Sequence, residues 1–432
     1  MSKADSFAEN RPKVLIVGAS IAGPTAAFWL VRAGFHVTIV EQASELRRGG
    51  NGVDVRSEAL AVVERMGLTS AIRAKTLRIK GMRFVDYRDR ERARMPLEAM
   101  ERMVGSEDLE IKRGDLAELL FDATKNDVNY IFGETITSIA QDEAEVDVTF
   151  AKGPPKRFDL VIGADGLHSR VRHAVFGAED EFLKFKQHYF AFLNVDLPMG
   201  EYGWVTFFNE PGKSAAIFRA EPGLGQINFM FRSSTPLSYD YRDVDKQRAL
   251  LREAFSGLGW HVPAMLEKTD SAPSFYFDAL AQVQMPSWSS GRVVLVGDAA
   301  YCASPASGAG ALLALTGAYR LAGELATHGI SSAALSGYEA AQRPLVAQKQ
   351  KELFTGLSTP RTRLGIIARN WLISPPLNVL ISKLQGSDSP ASIHEYRFPD
   401  EASLQSDTPA AAKTTLARSP DKAELTGGSA KR

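Results

Sequence analysis

Short apolar runs, each closing on a glycine or an acidic residue, set the rhythm of this chain. Lys13–Val17 (KVLIV) is almost wholly apolar, the pattern of a strand buried on both faces. A turn bounded by Gly18 and Gly23 follows, then a helical stretch over Thr25–Arg32 that Gly34 stops. A second apolar run, His36–Val40, ends on Glu41. This is one βαβ unit. Comparable runs return at Leu160–Ile162 and Val293–Val296, each leading into glycine and aspartate.

Between those runs the pattern changes. Tyr189–Phe231 is rich in β-branched and aromatic residues, and Phe207–Phe208, Ala215–Phe218 and Gln226–Phe231 read as strands of an antiparallel sheet. After Gly308 the chain reads as helical through Ala326 and again over Ala333–Leu353. Arg361–Leu384 is amphipathic and broken at Pro375–Pro376; it reads as a helix packed across two domains, with a membrane-surface helix as the alternative. From Gly386 onward Ser, Pro, Ala, Thr and charge predominate, which predicts a disordered tail.

The expected fold is therefore α/β. A discontinuous Rossmann-like domain (12–80, 105–182 and 286–355) is interrupted by an antiparallel β-sheet substrate domain (81–104 and 183–285). A C-terminal helical segment (356–385) and the tail (386–432) complete it. No repeat of fixed period is present.

Composition narrows the function. Among 432 residues, 51 Lys and Arg balance 51 Asp and Glu, so no basic excess points to nucleic acid or an anionic membrane as the main partner. Cys302 is the only cysteine, which removes an internal disulfide and a cysteine-based metal site; small apolar neighbours make it a packed thiol. The polar start, Met1 to Pro12, is unlike a secretory signal, and no run reaches the roughly 18 apolar residues of a spanning helix. A cytoplasmic protein is expected, and nothing in the pattern requires more than a monomer.

Gly18-Ala19-Ser20-Ile21-Ala22-Gly23 fits a dinucleotide fingerprint with Ser20 in place of the middle glycine. Gly18 permits the tight turn, Gly23 lets helix and strand pack closely, and the exposed N–H groups at the helix start bind pyrophosphate. Glu41 closes the second strand at the position of a carboxylate that accepts from ribose hydroxyls. A nucleophile elbow fits poorly, because Ala22 stands where G-x-S-x-G needs glycine. Two later motifs favour FAD over NAD. Asp159–Gly166 runs into Ser169-Arg170-Val171-Arg172, and Arg292–Ala300 leads to Pro305 and Gly308-Ala309-Gly310. Asp165 and Asp298, placed after buried strands, can accept from sugar or ribityl hydroxyls. The glycine-rich helix start can aim N–H groups at the N1–C2=O edge of a flavin.

Three motifs in this order make the chain resemble the class A flavoprotein monooxygenases, the family of para-hydroxybenzoate hydroxylase. The pattern is nearest to the aromatic polyketide hydroxylase and tetracycline-inactivating branch, and the likeness spans Lys13 to about Leu384. It implies that Asp54 and Arg113 touch FAD, that Asp298 binds the ribityl chain and that Pro305 lies by the flavin. Gly310 and Ala311 would supply N–H groups beneath the ring. Arg47 or Arg48 would meet NADPH, a transient co-substrate. Tyr301, Ala309 and Leu312 depart from residues the family often carries there (His, Gln and Asn), which leaves any side-chain contact at those positions open. The absence of a second glycine-rich strand–turn–helix unit agrees with transient nicotinamide docking.

The implied reaction inserts one oxygen atom of O₂ into an aromatic or polycyclic organic substrate through a flavin C4a-hydroperoxide. No side chain is assigned as catalytic and no metal is expected. Phe207, Phe208, Phe218, Phe229 and Phe231 are candidates for the substrate surface, and Phe275-Tyr276-Phe277 and Trp288 could serve either there or in a core. The alternatives are a flavin-dependent reductase or dehydrogenase and a non-catalytic FAD-binding redox module. A flavin halogenase is disfavoured because its W-x-W-x-I-P element is missing.

Overall fold

Lys13–Val17 forms a strand in which Val14 to Val17 are buried, and its register explains why the run is apolar throughout. It pairs in parallel with His36–Glu41 on one side and Leu160–Gly163 on the other, at the middle of a six-stranded sheet. Asn129–Phe132 flanks it at one edge, and Val293–Leu295 followed by Ser289–Ser290 at the other. Helices and, through Val146, Val148 and Phe158, a further small sheet share its core, the cover that a parallel sheet requires. Ala22–Arg32 and Gly310–His328 bury most of their residues against it. The computed structural model describes residues 11–46, 50–99, 109–195, 197–221, 224–272, 274–351, 358–374 and 393–398.

A second sheet of seven strands stands beside the first. It runs from Tyr276–Val283 through Leu183–Val195, Leu224–Arg232, Lys213–Glu221 and Trp204–Glu210 to Gly81–Val85 and Glu91–Pro96. The expectation of an antiparallel sheet needs one correction: Trp204–Glu210 pairs in parallel with Gly81–Val85, because the latter arrives from a remote part of the sequence. A separate three-stranded sheet, Ile136–Gln141, Val146–Phe150 and Lys156–Phe158, was not legible in the sequence.

Period-two alternation divides the seven-stranded sheet into two faces. Tyr189, Ala191, Leu193, Ile227, Phe229, Phe231 and Phe277 pack with Leu251, Phe255, Val262 and Met265 from the helices Val244–Phe255 and Val262–Ser271. The opposite face looks toward the nucleotide-binding sheet. Arg363–Ile373 covers the far strands of that face, with Ile373 against Phe84 and Ala93. The described part of the expected bridging segment thus packs on the sheet; Pro375–Leu384 lies outside the described residues.

The tail expected from Gly386 onward is corrected in part. Ile393, Tyr396 and Phe398 are buried in the core of the nucleotide-binding domain, where Phe398 lies 4.7 Å from the Trp29 ring and Tyr319 lies 5.4 Å from Tyr396. Three apolar anchors within a polar stretch were outweighed by its composition. Residues 399–432 lie outside the described residues.

Candidate functional site

Four turns converge where the two sheets meet. In the first, Gly18 has φ +111°, and a Cβ there would collide with the Ala164 carbonyl; one on Gly23 would strike the Gly18 carbonyl. Both glycines are therefore required by close backbone approach, the geometry that brings a helix start against phosphate. Glu41 braces this turn: Oε2 accepts from Ala19 N at 3.0 Å and Oε1 from Ala43 N at 2.9 Å. A carboxylate offers about four acceptor positions, so two remain for ribose hydroxyls. Ser20 Oγ accepts from Arg113, at 2.9 Å from Nη2 and 3.3 Å from Nε.

The second turn joins Val293–Leu295 to the long helix Gly310–His328. Gly297, Ser304 and Gly308 all have positive φ, and Pro305–Ser307 makes one 3-10 turn. Asp298, Pro305, Gly308 and Gly310 are exposed although their neighbours are buried, so they line a recess. Enclosure by protein pushes the Asp298 carboxyl up, while the Arg113 guanidinium pulls it down. The Gly310–His328 helix has no side-chain cap and no acid in its first turn, and a Cβ on Gly310 would meet nothing within 4 Å. The start of the helix, with the positive end of its dipole, thus opens on the recess at the exposed Gly310.

Asp54 belongs to the third turn. Its Oδ2 lies 3.9 Å from Arg56 Nη1, and Arg56 Nη2 donates to the carbonyls of Gly308 at 3.3 Å and Ser307 at 3.5 Å. Arg56 holds the glycine turn over the recess and was missed in the sequence. Its signal was weak: an arginine two positions beyond Asp54, at the end of the strand Gly52–Val55.

Asp165, in the fourth turn, is placed differently. Its Oδ1 accepts from Ser169 Oγ at 2.5 Å, and Oδ2 accepts from Arg170 N at 2.7 Å and Val171 N at 3.2 Å. Both oxygens thus hold the start of the helix Arg170–Val175, so the aspartate orders its own turn. Arg47 and Arg48 lie outside the described residues.

Opposite these turns stands the inward face of the seven-stranded sheet. Phe190, Phe192, Asn194, Gln226, Asn228 and Met230 are half-exposed on it. Gln226 Nε2 reaches Gly50 O at 3.4 Å, and Tyr276 packs 5.5 Å from Phe192. Burial and the Asp278 charge push the Tyr276 hydroxyl well up, keeping it a neutral donor to Asp278 Oδ2 at 3.1 Å. Of the aromatic candidates, Phe208, Phe229 and Phe231 lie in the core behind the sheet, and Phe207 stacks on Phe84 at 5.2 Å. Phe218 lies with Asn194 and Gln226 beside Gly50 and Gly52. The missed residues carried a legible signal, the alternate parity of the same strands. Cys302 is buried, and burial pushes its thiol well up.

The donor set fits FAD. An open, uncapped helix start faces the same recess as a carboxylate on the Gly-Asp turn, and a phosphate-type glycine turn with a ribose-type acid lies alongside. Fold and turns define a Rossmann-type FAD-binding protein. The chain belongs to the FAD binding domain family, whose pattern matches residues 11–352.

It is similar to a flavin-dependent monooxygenase of Legionella longbeachae, 36% identical over 345 residues, which cover 78% of this chain and 87% of that protein. An uncharacterized protein of Mycobacterium tuberculosis is 43% identical over 322 residues, 73% of this chain and 85% of its own. The crystal structure of tetracycline destructase Tet(51) superposes with a TM-score of 0.76 at 33% identity, covering 89% of this chain and all of that one. The protein is an FAD-dependent monooxygenase of class A.

Among the described residues, no helix is long and apolar enough to cross a membrane, and no group of His, Cys, Asp and Glu could hold a metal ion.

Proposed function

We propose that this monooxygenase consumes NADPH and O₂ to insert one oxygen atom into an apolar, partly aromatic polycyclic substrate. The balance is RH + O₂ + NADPH + H⁺ giving ROH + H₂O + NADP⁺. The observation that carries the reading is the half-exposed row of Phe190, Phe192 and Tyr276, interleaved with Asn194, Gln226 and Asn228, facing the turns that would hold FAD. Aromatic side chains supply area, and a few amide groups fix orientation. Likeness to a tetracycline destructase supports a polycyclic substrate class.

Gly18, Ser20 and Gly23 would hold the pyrophosphate, with Glu41 on the ribose. Asp298 would accept from the ribityl chain, and the Gly310 and Ala311 N–H groups would meet the N1–C2=O edge of the flavin. Asp54 and Pro305 would line its ring, and Arg113, fixed on Ser20, would balance phosphate charge. When bound, FAD supplies hydride acceptance and oxygen activation. The protein's part is to bury the substrate between sheet and turns, exclude water and direct the reacting carbon. Tyr276, its proton committed to Asp278 Oδ2, can accept a hydrogen bond from a substrate hydroxyl.

The test is NADPH oxidation and O₂ uptake by FAD-loaded protein across a panel of phenolic polycycles. Substrate-stimulated consumption of both, one to one, supports the proposal. Turnover that persists without O₂ would instead favour a reductase or dehydrogenase. No stimulation by any electron-rich polycycle, with FAD bound, would favour a non-catalytic flavin module.

A further inference from the structure

The helix Arg363–Ile373 is amphipathic in an unusual sense. Its polar Arg369 is buried together with Ile373, while Leu364, Ile367, Trp371 and Leu372 are 78%, 64%, 75% and 41% exposed. Spacings of three, four and seven residues place Leu364, Ile367 and Trp371 on one stripe. Arg369 and Ile373, four apart, lie on the opposite one. The buried side is fully accounted for: the Arg369 guanidinium lies 4.0 Å from the Phe84 ring centre and donates to Asn209 Oδ1 at 2.7 Å. The sheet is therefore not what the apolar stripe packs on.

Charge identifies the partner. The chain is neutral overall, yet no Asp or Glu occurs between Glu352 and Asp388, and Arg361 and Arg363 in that stretch are exposed. Arg361 also joins Lys213 and Arg232 in lining an open groove, beside the Gly212 N to Pro360 O hydrogen bond (2.8 Å) that ties the segment to the sheet. Glu210 is an acid that approaches the segment, 4.0 Å from Arg363. A cluster of cations beside an apolar stripe suits an anionic surface better than a second copy of a chain whose formal net charge is zero. A bilayer with anionic headgroups satisfies both features, because apolar side chains enter the headgroup boundary while basic groups meet phosphate.

We propose that Arg363–Ile373 docks the protein on an anionic lipid surface, with Leu364, Ile367, Trp371 and Leu372 inserted and Arg361, Arg363, Lys213 and Arg232 at headgroup level. This is peripheral attachment, and it does not depend on the substrate proposed above.

The test uses the full-length FAD-loaded protein and sedimentation with phosphatidylglycerol–phosphatidylcholine vesicles against phosphatidylcholine alone. The expected result is binding to the anionic vesicles, at least tenfold weaker when salt rises from about 50 mM to about 0.5 M. Leu364→Ser with Trp371→Ser should weaken it at least tenfold with unchanged flavin content and melting temperature. Arg361→Glu should weaken it while leaving the stripe intact. Absence of binding by the unaltered protein, or equal binding by the double variant, would overturn the proposal. So would equal affinity for neutral vesicles, or a dimer in solution that the double substitution dissolves.

Discussion

His168 Nε2 lies 3.0 Å from Asp278 Oδ2, and this contact ties the nucleotide-binding domain to the edge strand of the seven-stranded sheet. The other ring nitrogen, Nδ1, lies 3.0 Å from Glu179, and the ring stacks on Tyr241 at 4.2 Å. With an acceptor at each nitrogen, the imidazolium donates twice. Burial works against its charge, but Asp278 and Glu179 prevail and raise its pKa from 6.5 to about 9.

This pair predicts a pH dependence. Because the folded value is raised, the stabilisation is complete below about pH 6.5 and disappears as pH rises through about 9. Its size is up to about 3 kcal/mol. Denaturant unfolding of the protein from pH 6 to 10 should show stability falling through that window, and His168→Gln should flatten the slope. A slope that is unchanged in the variant would remove His168 as its source.

Asp298→Ala should cost flavin and spare the fold. The side chain is exposed in the recess, so its loss leaves no buried cavity, while a ribityl acceptor disappears. We expect FAD affinity at least tenfold lower, about 1.4 kcal/mol or more, with an unchanged far-ultraviolet spectrum. The absorbance ratio of flavin to protein after gel filtration reads this directly.

Asp165→Ala should behave in the opposite way. Its carboxylate serves Ser169, Arg170 and Val171, so the variant should lose about 1–2 kcal/mol of stability, as removal of a helix cap does. FAD affinity measured on the folded fraction should change less than in Asp298→Ala. A larger loss of FAD from Asp165→Ala than from Asp298→Ala would return Asp165 to the cofactor.

The two faces of the sheet can be separated by a pair of truncations. Phe231→Ala, in the packed core, should cost about 3–5 kcal/mol on unfolding. Phe192→Ala, half-exposed toward the recess, should cost less and raise KM for an apolar substrate. Equal effects on stability and none on KM would mean that the recess face does not meet substrate.

The parallel sheet was legible because a strand buried on both faces must be apolar throughout, as Val14 to Val17 are. The glycine turns were legible for a similar reason: no other residue tolerates the backbone contacts at Gly18 and Gly23. The aromatic strands were harder. Phe190, Phe192, Phe229 and Phe231 look alike in sequence, and only cross-strand register decides which row faces the recess. Asp165 and Asp298 also share a local pattern, yet the Ser169 hydroxyl and two backbone N–H groups hold the first carboxylate, whereas the second has the Cys302 thiol beside it and stays exposed in the recess. Ile393, Tyr396 and Phe398 show the limit of composition, since a few buried rings can anchor an otherwise polar stretch.

The most direct measurement of the central claim is the fate of ¹⁸O₂ during turnover of the FAD-loaded protein with NADPH and an electron-rich polycyclic substrate. The account predicts product carrying a single ¹⁸O atom, with the label absent when the isotope is supplied as water. Product without label, or product formed without O₂, would contradict oxygen insertion by this protein.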